Sequence, residues 1–377
     1  MAEPAATVRK PNHDYIFGID LVRFACALSV AAFHLTRLKP ETAWFMPVGW
    51  VGVQIFFVIS GLVIANSAQG ATAQQFLTGR FMRLYPTAWC AAAVSVPLYL
   101  WQYPKMADKV ERIYFSLVLF PGPFVATAYW TLPIELAFYF VVYSLVMFHG
   151  FRHVKALAIV LVLWGTPYLL ALAGNARGMN HWNWVNFTYL WENMSLLRYG
   201  PYFGLGILVW LYKEKRLGVA GALFAGLALA LAPLEIYSKA AEVLPDFARS
   251  PLTPGLNWTQ LATLTSVAFY VAFVAIVLSV RFNHLFPANA ALRKTVRLLG
   301  LMTYPFYLLH ERVGEFVIGL MKELGMAHLP SVFVALAGVG IVSLLIASYA
   351  EPALRGLLKR IGRALSPTAK KPALETL

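Results

Sequence analysis

The chain has 377 residues, of which 59% are hydrophobic and 13% charged, and it carries a net charge of +14. A soluble globular protein usually has about 25% charged residues, so the composition excludes that class and indicates a polytopic membrane protein. The positive charge is typical of basic loops that hold the inner side of a membrane and contact anionic lipid, and we expect no nucleic-acid partner. Cys26 and Cys90 both lie in apolar segments, so we expect no disulfide framework.

Ten stretches are apolar enough to cross a membrane, for which a helix needs about 20 predominantly apolar residues. In chain order they cover 16–38, 49–67, 84–101, 132–148, 154–173, 196–212, 217–233, 261–280, 298–320 and 331–349. The polar segment before the first stretch lacks the pattern of a cleavable signal, so we expect that stretch to stay as a helix. The sequence therefore predicts an all-α bundle of about ten transmembrane helices. Its domain covers 16–350, between a cytoplasmic segment 1–15 and a basic cytoplasmic tail 351–377.

The distribution of Lys and Arg predicts the orientation. With the N-terminus in the cytoplasm, 19 basic residues fall on the inner side and 10 on the outer side, as the positive-inside rule requires. This count holds only if the segment 113–124 does not cross the membrane. That segment is short and is broken by Pro121 and Pro123. We therefore expect it to be re-entrant or interfacial on the outer face, with both termini in the cytoplasm.

Two further outer loops are predicted, at 174–195 and 235–260, and both are rich in Trp, Tyr, Asn and Pro. Aromatic rings beside polar groups suit sugar contacts. Aromatic belts at a membrane interface are the more usual explanation.

Ionisable side chains inside apolar stretches are costly to insert and mark functional sites. The stretches contain seven that bear on function: Asp20, Arg23, His34, Glu135, His310, Glu311 and Arg312.

Arg23 and His34 are eleven residues apart in the first stretch, so they share one helix face about 16 Å apart. Asp20 can neutralise Arg23 one turn away. Glu135 and His310 are expected at a depth similar to that of His34, so a carboxylate and two imidazoles could meet in one cavity. A carboxylate that orients an imidazole makes it a better general base. Both residues also have a purely structural interpretation. His34 could hydrogen-bond a neighbouring helix, and Glu135 could pair with an arginine.

Arg80 and Arg83 stand one helical turn apart in RFMRLYP, where two guanidinium groups can converge on a phosphate. Ordinary positive-inside anchoring is the alternative for both. In the second stretch Gly52, Ser60 and Gly61 are expected where helices approach closely. The sequence has no Walker loop, G-x-S-x-G or H-E-x-x-H motif, and its carboxylates lack two-metal spacing, so no metal site is expected.

Five segments in this order resemble the acyltransferase-3 family of integral-membrane acyltransferases: IDLVRFACALSVAAFHL, GVQIFFVISGLVI, RFMRLYP, WTLPIELAFYF and MTYPFYLLH. The resemblance implies a ten-helix bundle, acyl-CoA that arrives from the cytoplasm, and His34 as the essential base. It also implies that Arg80 and Arg83 contact the donor, whereas the roles of Glu135 and His310 are less settled.

The chain departs from the family pattern at Gln54, where relatives usually carry an acidic residue. A charge-dependent role there is either lost or met by Glu135. Because the sequence ends soon after the tenth stretch, we also expect the membrane domain to bind the acceptor without an extra extracytoplasmic domain.

We therefore expect an inner-membrane, multi-pass enzyme that moves an acyl group, above all acetyl, from acyl-CoA to a hydroxyl of an envelope or exported carbohydrate or glycolipid. Such acceptors include exopolysaccharide, O-antigen and lipo-oligosaccharide. The predicted catalytic residues are His34, Glu135 and His310. The predicted donor-binding residues are Arg80, Arg83, Arg23 and Ser60.

We expect acyl-CoA as co-substrate, no bound cofactor, and membrane lipid and the polysaccharide biosynthesis machinery as partners. A transporter is the first alternative, but the repeat symmetry and paired broken helices typical of transporters are not apparent in the sequence. An inactive membrane partner of a polysaccharide synthase is the second.

Overall fold

The computed structural model describes residues 15–176, 189–247, 250–252 and 255–365, and every regular element in this part of the chain is helical. The α-helices, labelled α1 to α13, are Phe17–Thr36, Gly52–Ala68, Ala73–Gln102, Lys109–Val118, Thr131–Ser144, Val154–Ala176, Tyr189–Met194, Gly200–Lys213, Gly218–Phe247, Trp258–Arg281, Ala290–Glu323, His328–Leu345 and Glu351–Leu365. Short 3-10 turns at Gly49–Val51 and Thr127–Trp130 lead into α2 and α5. Single π turns at Leu145–His149 and Ile346–Ala350 follow α5 and α12.

Seven of the described helical segments are long and apolar enough to cross a membrane. They are Phe17–Thr36, Gly49–Ala68, Thr127–Phe148, Phe151–Gly174, Gly218–Phe247, Trp258–Arg281 and His328–Ala364. The three other predicted stretches are also largely helical: 84–101 and 298–320 lie within α3 and α11, and 196–212 begins four residues before α8. The chain is thus a multi-pass membrane protein, and all regular elements of its described residues are helical.

Helix α8 lies at the centre of the bundle, because all its residues from Gly200 to Leu211 are buried. It packs tightly against α2 through paired glycines. A Cβ atom on Gly206 would overlap the backbone oxygen of Val58, and one on Gly61 would overlap that of Phe203. The expectation that Gly61 lies where two helices approach closely is therefore confirmed, and its small size explains why glycine is present there.

The segment 113–124 contains only the end of α4, a helix of 10 residues, or about 15 Å. That is half the thickness of a bilayer core. The helix ends at Leu119, which adopts a left-handed conformation with φ of 58°. Ser116 then accepts a hydrogen bond from the Val125 amide at 3.0 Å, which folds the following irregular chain back onto α4. A short helix and an irregular return agree with the non-spanning prediction.

The prediction of an outer loop at 235–260 is wrong for its first half, because α9 continues to Phe247. Glu235 at its start is fully buried and accepts hydrogen bonds from Gln54 and Arg198. Glu235, which the prediction placed in a loop, therefore makes polar contacts inside the bundle. In the other predicted loop, 189–194 form α7, while 177–188 lie outside the described residues.

The predicted tail begins with a helix, since 351–365 form α13. Residues 366–377 lie outside the described part of the chain. Basic residues on α13 alternate with Leu354, Leu357, Leu358 and Ile361, so the helix is amphipathic.

Candidate active site

His34 lies in the last turn of α1 and faces a buried carboxylate on α11. Its Nδ1 atom is 3.6 Å from Oε1 of Glu311, and the two side chains are 22% and 10% exposed. The ring of His310 is close as well, with its centroid 5.2 Å from that of His34. The structure thus brings together both predicted histidines and one carboxylate, with His34 the accessible member of the group.

Two donors ahead of α5 hold the Glu311 carboxylate in place. The Thr127 hydroxyl donates to Oε1, and the Ala128 amide donates to Oε2 at 3.1 Å. The Glu311 carboxylate faces Nδ1 of His34 at ion-pair distance, which is too long for a short hydrogen bond. Its negative charge favours the proton on that nitrogen. The Nε2 atom of His34 then carries a free lone pair, which is the form of imidazole that acts as a general base.

The tautomer of His310 follows from its backbone contact. Its Nδ1 atom lies 2.6 Å from the carbonyl oxygen of Tyr307, and a carbonyl oxygen can only accept, so Nδ1 carries the proton. The Nε2 atom is therefore unprotonated. It is buried and has no hydrogen-bond partner among the residues that the structure describes.

The carboxylate that meets the imidazoles is that of Glu311, not Glu135 as the sequence predicted. The Oε1 atom of Glu135 accepts hydrogen bonds from Ser60 at 2.7 Å and Tyr139 at 2.5 Å. The prediction assumed a helix that begins near Leu132, which would place Glu135 close to the outer surface. Because a 3-10 turn begins the helical segment at Thr127, Glu135 lies about 10 Å deeper than the residues that reach Glu311. The adjacent His310 was the sequence signal that could have identified Glu311.

Glu135 instead lines a cavity that contains every predicted donor-binding residue. The cavity holds about 910 Å³ of space, including its opening. Its polar wall includes Arg23, Ser60, Arg80, Arg83, Glu135 and Tyr139. Apolar side chains from α2 and α3, such as Val53, Ile64 and Leu84, form much of the remainder. The four predicted donor-binding residues therefore all line one cavity: Arg23, Ser60, Arg80 and Arg83. Their role in binding stays a prediction.

The wall of this cavity has more cationic than anionic side chains. Arg80 lies over the rings of Phe76 and Tyr139, each 5.9 Å from its guanidinium carbon. Its Nε atom is buried without a hydrogen-bond partner in the described part of the chain. Three guanidinium groups against one carboxylate suit an anion with more than one charge, since arginine binds phosphate through paired N–H donors.

Arg23 differs from the other two arginines because it has an acidic partner on its own helix. Its Nη1 atom lies 3.8 Å from Asp20, which also accepts a hydrogen bond from the Tyr15 hydroxyl. Burial raises the pKa of Tyr15, and its hydrogen bond to Asp20 raises that pKa further, so the phenol stays a donor. Gly300 on α11 packs directly against Asp20, where a Cβ atom would overlap the carboxylate.

Helix α11 connects the cavity to the imidazoles. Tyr307 lines the cavity, and its ring centroid is 5.7 Å from that of His310 one turn later. Thr131 donates a hydrogen bond to the Tyr307 hydroxyl at 3.3 Å, and the ring of Phe56 packs edge-on at 5.5 Å. A molecule that fills the cavity therefore ends beside Tyr307, about one helical turn from the histidine cluster.

The model of an acyltransferase domain family, acyltransferase-3, matches residues 16–350. The chain belongs to the acyltransferase-3 family.

Two relatives match over shorter segments. The exopolysaccharide production protein ExoZ of Rhizobium meliloti (strain 1021) is 30% identical over 118 residues, which cover 28% of this chain and 36% of ExoZ. The peptidoglycan O-acetyltransferase OatA of Listeria monocytogenes serovar 1/2a is 29% identical over 107 residues, which cover 26% of this chain and 16% of OatA. The chain thus matches about a third of the length of ExoZ and about a sixth of OatA. No solved structure matches.

Gln54, where the family resemblance implied an acidic residue, lies beside the carboxylate of Glu235. Its Nε2 atom donates to Oε2 of Glu235 at 2.9 Å. Glu235 also accepts from Nε of Arg198 at 3.0 Å. The negative charge next to Gln54 therefore comes from Glu235 on α9.

Proposed function

We propose that this acyltransferase-3 protein moves an acyl group, above all acetyl, from acyl-CoA to a hydroxyl of an exported carbohydrate. One observation carries the proposal: α11 places an arginine-lined cavity and a carboxylate–imidazole pair about one turn apart. The cavity offers a site for an anionic donor, and the imidazole offers a base for a hydroxyl. Membership in the acyltransferase-3 family favours this activity over a transporter or an inactive partner.

The donor site would use the whole cavity. Arg80 and Arg83 hold the phosphate groups of CoA, with Arg23 on the facing helix α1. The apolar wall accommodates the pantetheine arm, and Ser60 and Tyr307 lie along its length. The thioester then lies near Tyr307, where the cavity approaches the ring of His310.

The transfer step begins with proton removal from the acceptor hydroxyl by Nε2 of His34. The hydroxyl oxygen forms a bond to the thioester carbonyl carbon, and the carbon–sulfur bond breaks. The imidazolium returns its proton to the leaving CoA thiolate, so no further reactant is needed. Glu311 holds the imidazole and stabilises its positive charge during the step, as carboxylates do in other base-catalysed acyl transfers.

His310 has a different part in this mechanism. Because its Nε2 atom lacks a proton, it can accept a hydrogen bond from a neighbouring hydroxyl of the acceptor, but it cannot donate one to a developing oxyanion. The reacting hydroxyl gives its only proton to His34. It would therefore orient the acceptor beside His34.

The proposed orientation places both termini in the cytoplasm and the chain in the inner membrane. The seven long apolar helices, together with α3, α8 and α11, then provide ten crossings. Arg80 and Arg83 lie on the cytoplasmic side, where acyl-CoA is found, and His34 is about 16 Å from Arg23 toward the outer side. The excess of basic residues in the cytoplasmic loops of this arrangement supports it.

The class of acceptor is inferred from the two relatives. ExoZ is a protein of exopolysaccharide production, and OatA is an O-acetyltransferase of peptidoglycan. An exported or envelope polysaccharide, or a glycolipid that carries its building block, is the corresponding acceptor here, and the polysaccharide biosynthesis machinery is the proposed source.

Mass analysis of surface and secreted glycans tests the proposal directly. We expect a mass difference of one acyl group between cells with the wild-type protein and cells without it. A strain that expresses His34→Ala at the same level serves as the matched control and should resemble the deletion. Identical glycans in all three strains would refute the proposed activity.

A further inference from the structure

We propose that His34, His310 and Glu311 form a binding site for a Zn²⁺ ion. The three residues each offer one ligand atom, and these atoms lie within 4.8 Å of one another. Ligands of a tetrahedral zinc ion at about 2.0–2.2 Å are roughly 3.3 Å apart, so the side chains need to close by about 1.5 Å at most. No sequence pattern predicts this site, because its ligands come from two helices that are far apart in the chain.

The lone pair on Nε2 of His310 indicates a ligand. The residue is fully buried, and this nitrogen has no partner among the described residues. Buried polar atoms usually have a partner, because water is no longer available to them. The Nδ1–H group donates to the backbone carbonyl of Tyr307 at 2.6 Å, which is the supporting contact that metal-bound histidines usually make.

Glu311 is held in the same way as metal-bound carboxylates. Thr127 and the Ala128 amide donate to its two oxygens and fix the orientation of the group, while its remaining lone pairs are available toward the imidazoles. His34 completes the set with a side chain that is 22% exposed, which gives an ion a route to the site.

Neighbouring positive charges do not prevent entry of a cation, because each has an acidic partner. Arg37, one turn after His34, binds Asp246 at 2.7 Å. Lys239 on α9 binds Glu242 at 2.6 Å. Arg312, next to Glu311, binds Glu315 at 2.8 Å.

The ligand types favour Zn²⁺ and other transition-metal ions over cations that bind oxygen ligands. Two imidazoles and one carboxylate suit Zn²⁺, with a fourth position left open, whereas Mg²⁺ and Ca²⁺ require six or more oxygen ligands. A bound Zn²⁺ ion occupies an imidazole lone pair of His34 and prevents its use as a base. Zn²⁺ should therefore inhibit acyl transfer reversibly, at a site that is distinct from the donor cavity.

Metal binding is measured on the purified, tag-free protein in nanodiscs after treatment with EDTA. We expect calorimetry to show one Zn²⁺ ion bound per chain and no binding of Mg²⁺. Co²⁺ should give the absorption spectrum of a tetrahedral site. X-ray absorption of the zinc-loaded wild-type protein should show imidazole nitrogen and carboxylate oxygen ligands, and this measurement needs no variant to fold.

Variants test which residues bind the Zn²⁺ ion. His310→Ala and Glu311→Gln should each weaken Zn²⁺ binding by more than about 100-fold, and Thr127→Val, which removes only a supporting hydrogen bond, by about 10-fold. His284→Ala changes an exposed histidine and should bind Zn²⁺ like the wild type.

No zinc binding by the wild type, or full affinity in both His310→Ala and Glu311→Gln, would overturn the metal site. The proposed function is judged separately, by acyl transfer in the presence of EDTA. A protein that transfers acyl groups but binds no Zn²⁺ disproves only the metal site. One that binds Zn²⁺ through these residues but never transfers acyl groups disproves only the proposed function.

Discussion

Nδ1 of His34 and Oε1 of Glu311 lie 3.6 Å apart, although the two residues are far apart in the sequence, on α1 and α11. The turn before α5 supplies the donors that fix Glu311. Three segments, α1, α11 and this turn, therefore build the carboxylate–imidazole pair. Its activity should depend on their packing as well as on the two side chains.

Replacing His34 by Ala should abolish acyl transfer and leave the protein folded and inserted. The proposed role is proton removal, and loss of a general base typically lowers a rate by about 100- to 10,000-fold. The measurement is the rate of acylation by purified protein in nanodiscs, with thermal unfolding as the check on folding. Wild-type rates from a well-expressed variant would exclude His34 as the base.

The two carboxylates should respond differently to replacement by glutamine. Glu311→Gln removes the charge that faces His34, so we expect kcat to fall by about 100-fold or more with little change in the KM for acyl-CoA. Glu135→Gln is the matched control. It alters the wall of the arginine-lined cavity and should change the KM for acyl-CoA more than kcat. The reverse pattern would restore Glu135 to the catalytic role that the sequence predicted.

The double variant Arg80→Lys, Arg83→Lys separates phosphate binding from simple anchoring. Lysine keeps the charge and hence the orientation in the membrane, but it lacks the planar pair of N–H donors that grips a phosphate. We expect weaker binding of acyl-CoA, measured in nanodiscs. Arg360→Lys with Arg363→Lys, at exposed positions of α13, should bind like the wild type. Unchanged affinity of the Arg80→Lys, Arg83→Lys variant would place the donor elsewhere, with the basic segment 281–297 as the next candidate.

The contact between α2 and α8 should tolerate no side chain at Gly206. A methyl group there overlaps the backbone oxygen of Val58, and overpacking of this kind costs about 1–3 kcal/mol or more. Gly206→Ala should therefore lower the thermal unfolding temperature in detergent. Gly226→Ala on α9 meets no atom within 4 Å and should be neutral or slightly stabilising. Equal stability of both variants would contradict the close helix contact.

Cysteine labelling tests the orientation. After Cys26 and Cys90 are replaced by alanine, a cysteine next to Arg80 should react only from the cytoplasm, and one next to Asn183 only from outside. Asn183 lies outside the described residues, so this site tests the sequence prediction alone. Labelling of both sites from one side would mean that the segment 113–124, or another stretch, crosses differently.

Local sequence determined the helices and predicted four residues of the arginine-lined cavity. Apolar stretches long enough to cross a bilayer predict helices, because a chain in lipid must satisfy its own backbone hydrogen bonds. The one-turn spacing of Arg80 and Arg83 also predicts that they share a face. Both properties depend only on residues that are close together in the chain. They are therefore independent of how the helices pack against one another.

Only the tertiary structure decided which carboxylate meets His34 and which charge lies beside Gln54. If a helix begins a few residues earlier or later, each of its side chains moves by several ångströms along the helix axis. Each residue of such a shift also rotates the side chain by 100° about that axis. Such a shift excluded Glu135 from the imidazole cluster, where Glu311 lies instead. The burial of Glu235 beside Gln54 likewise depends on how α9 packs against α2 and α8, because burial results from contact between helices rather than from any one of them.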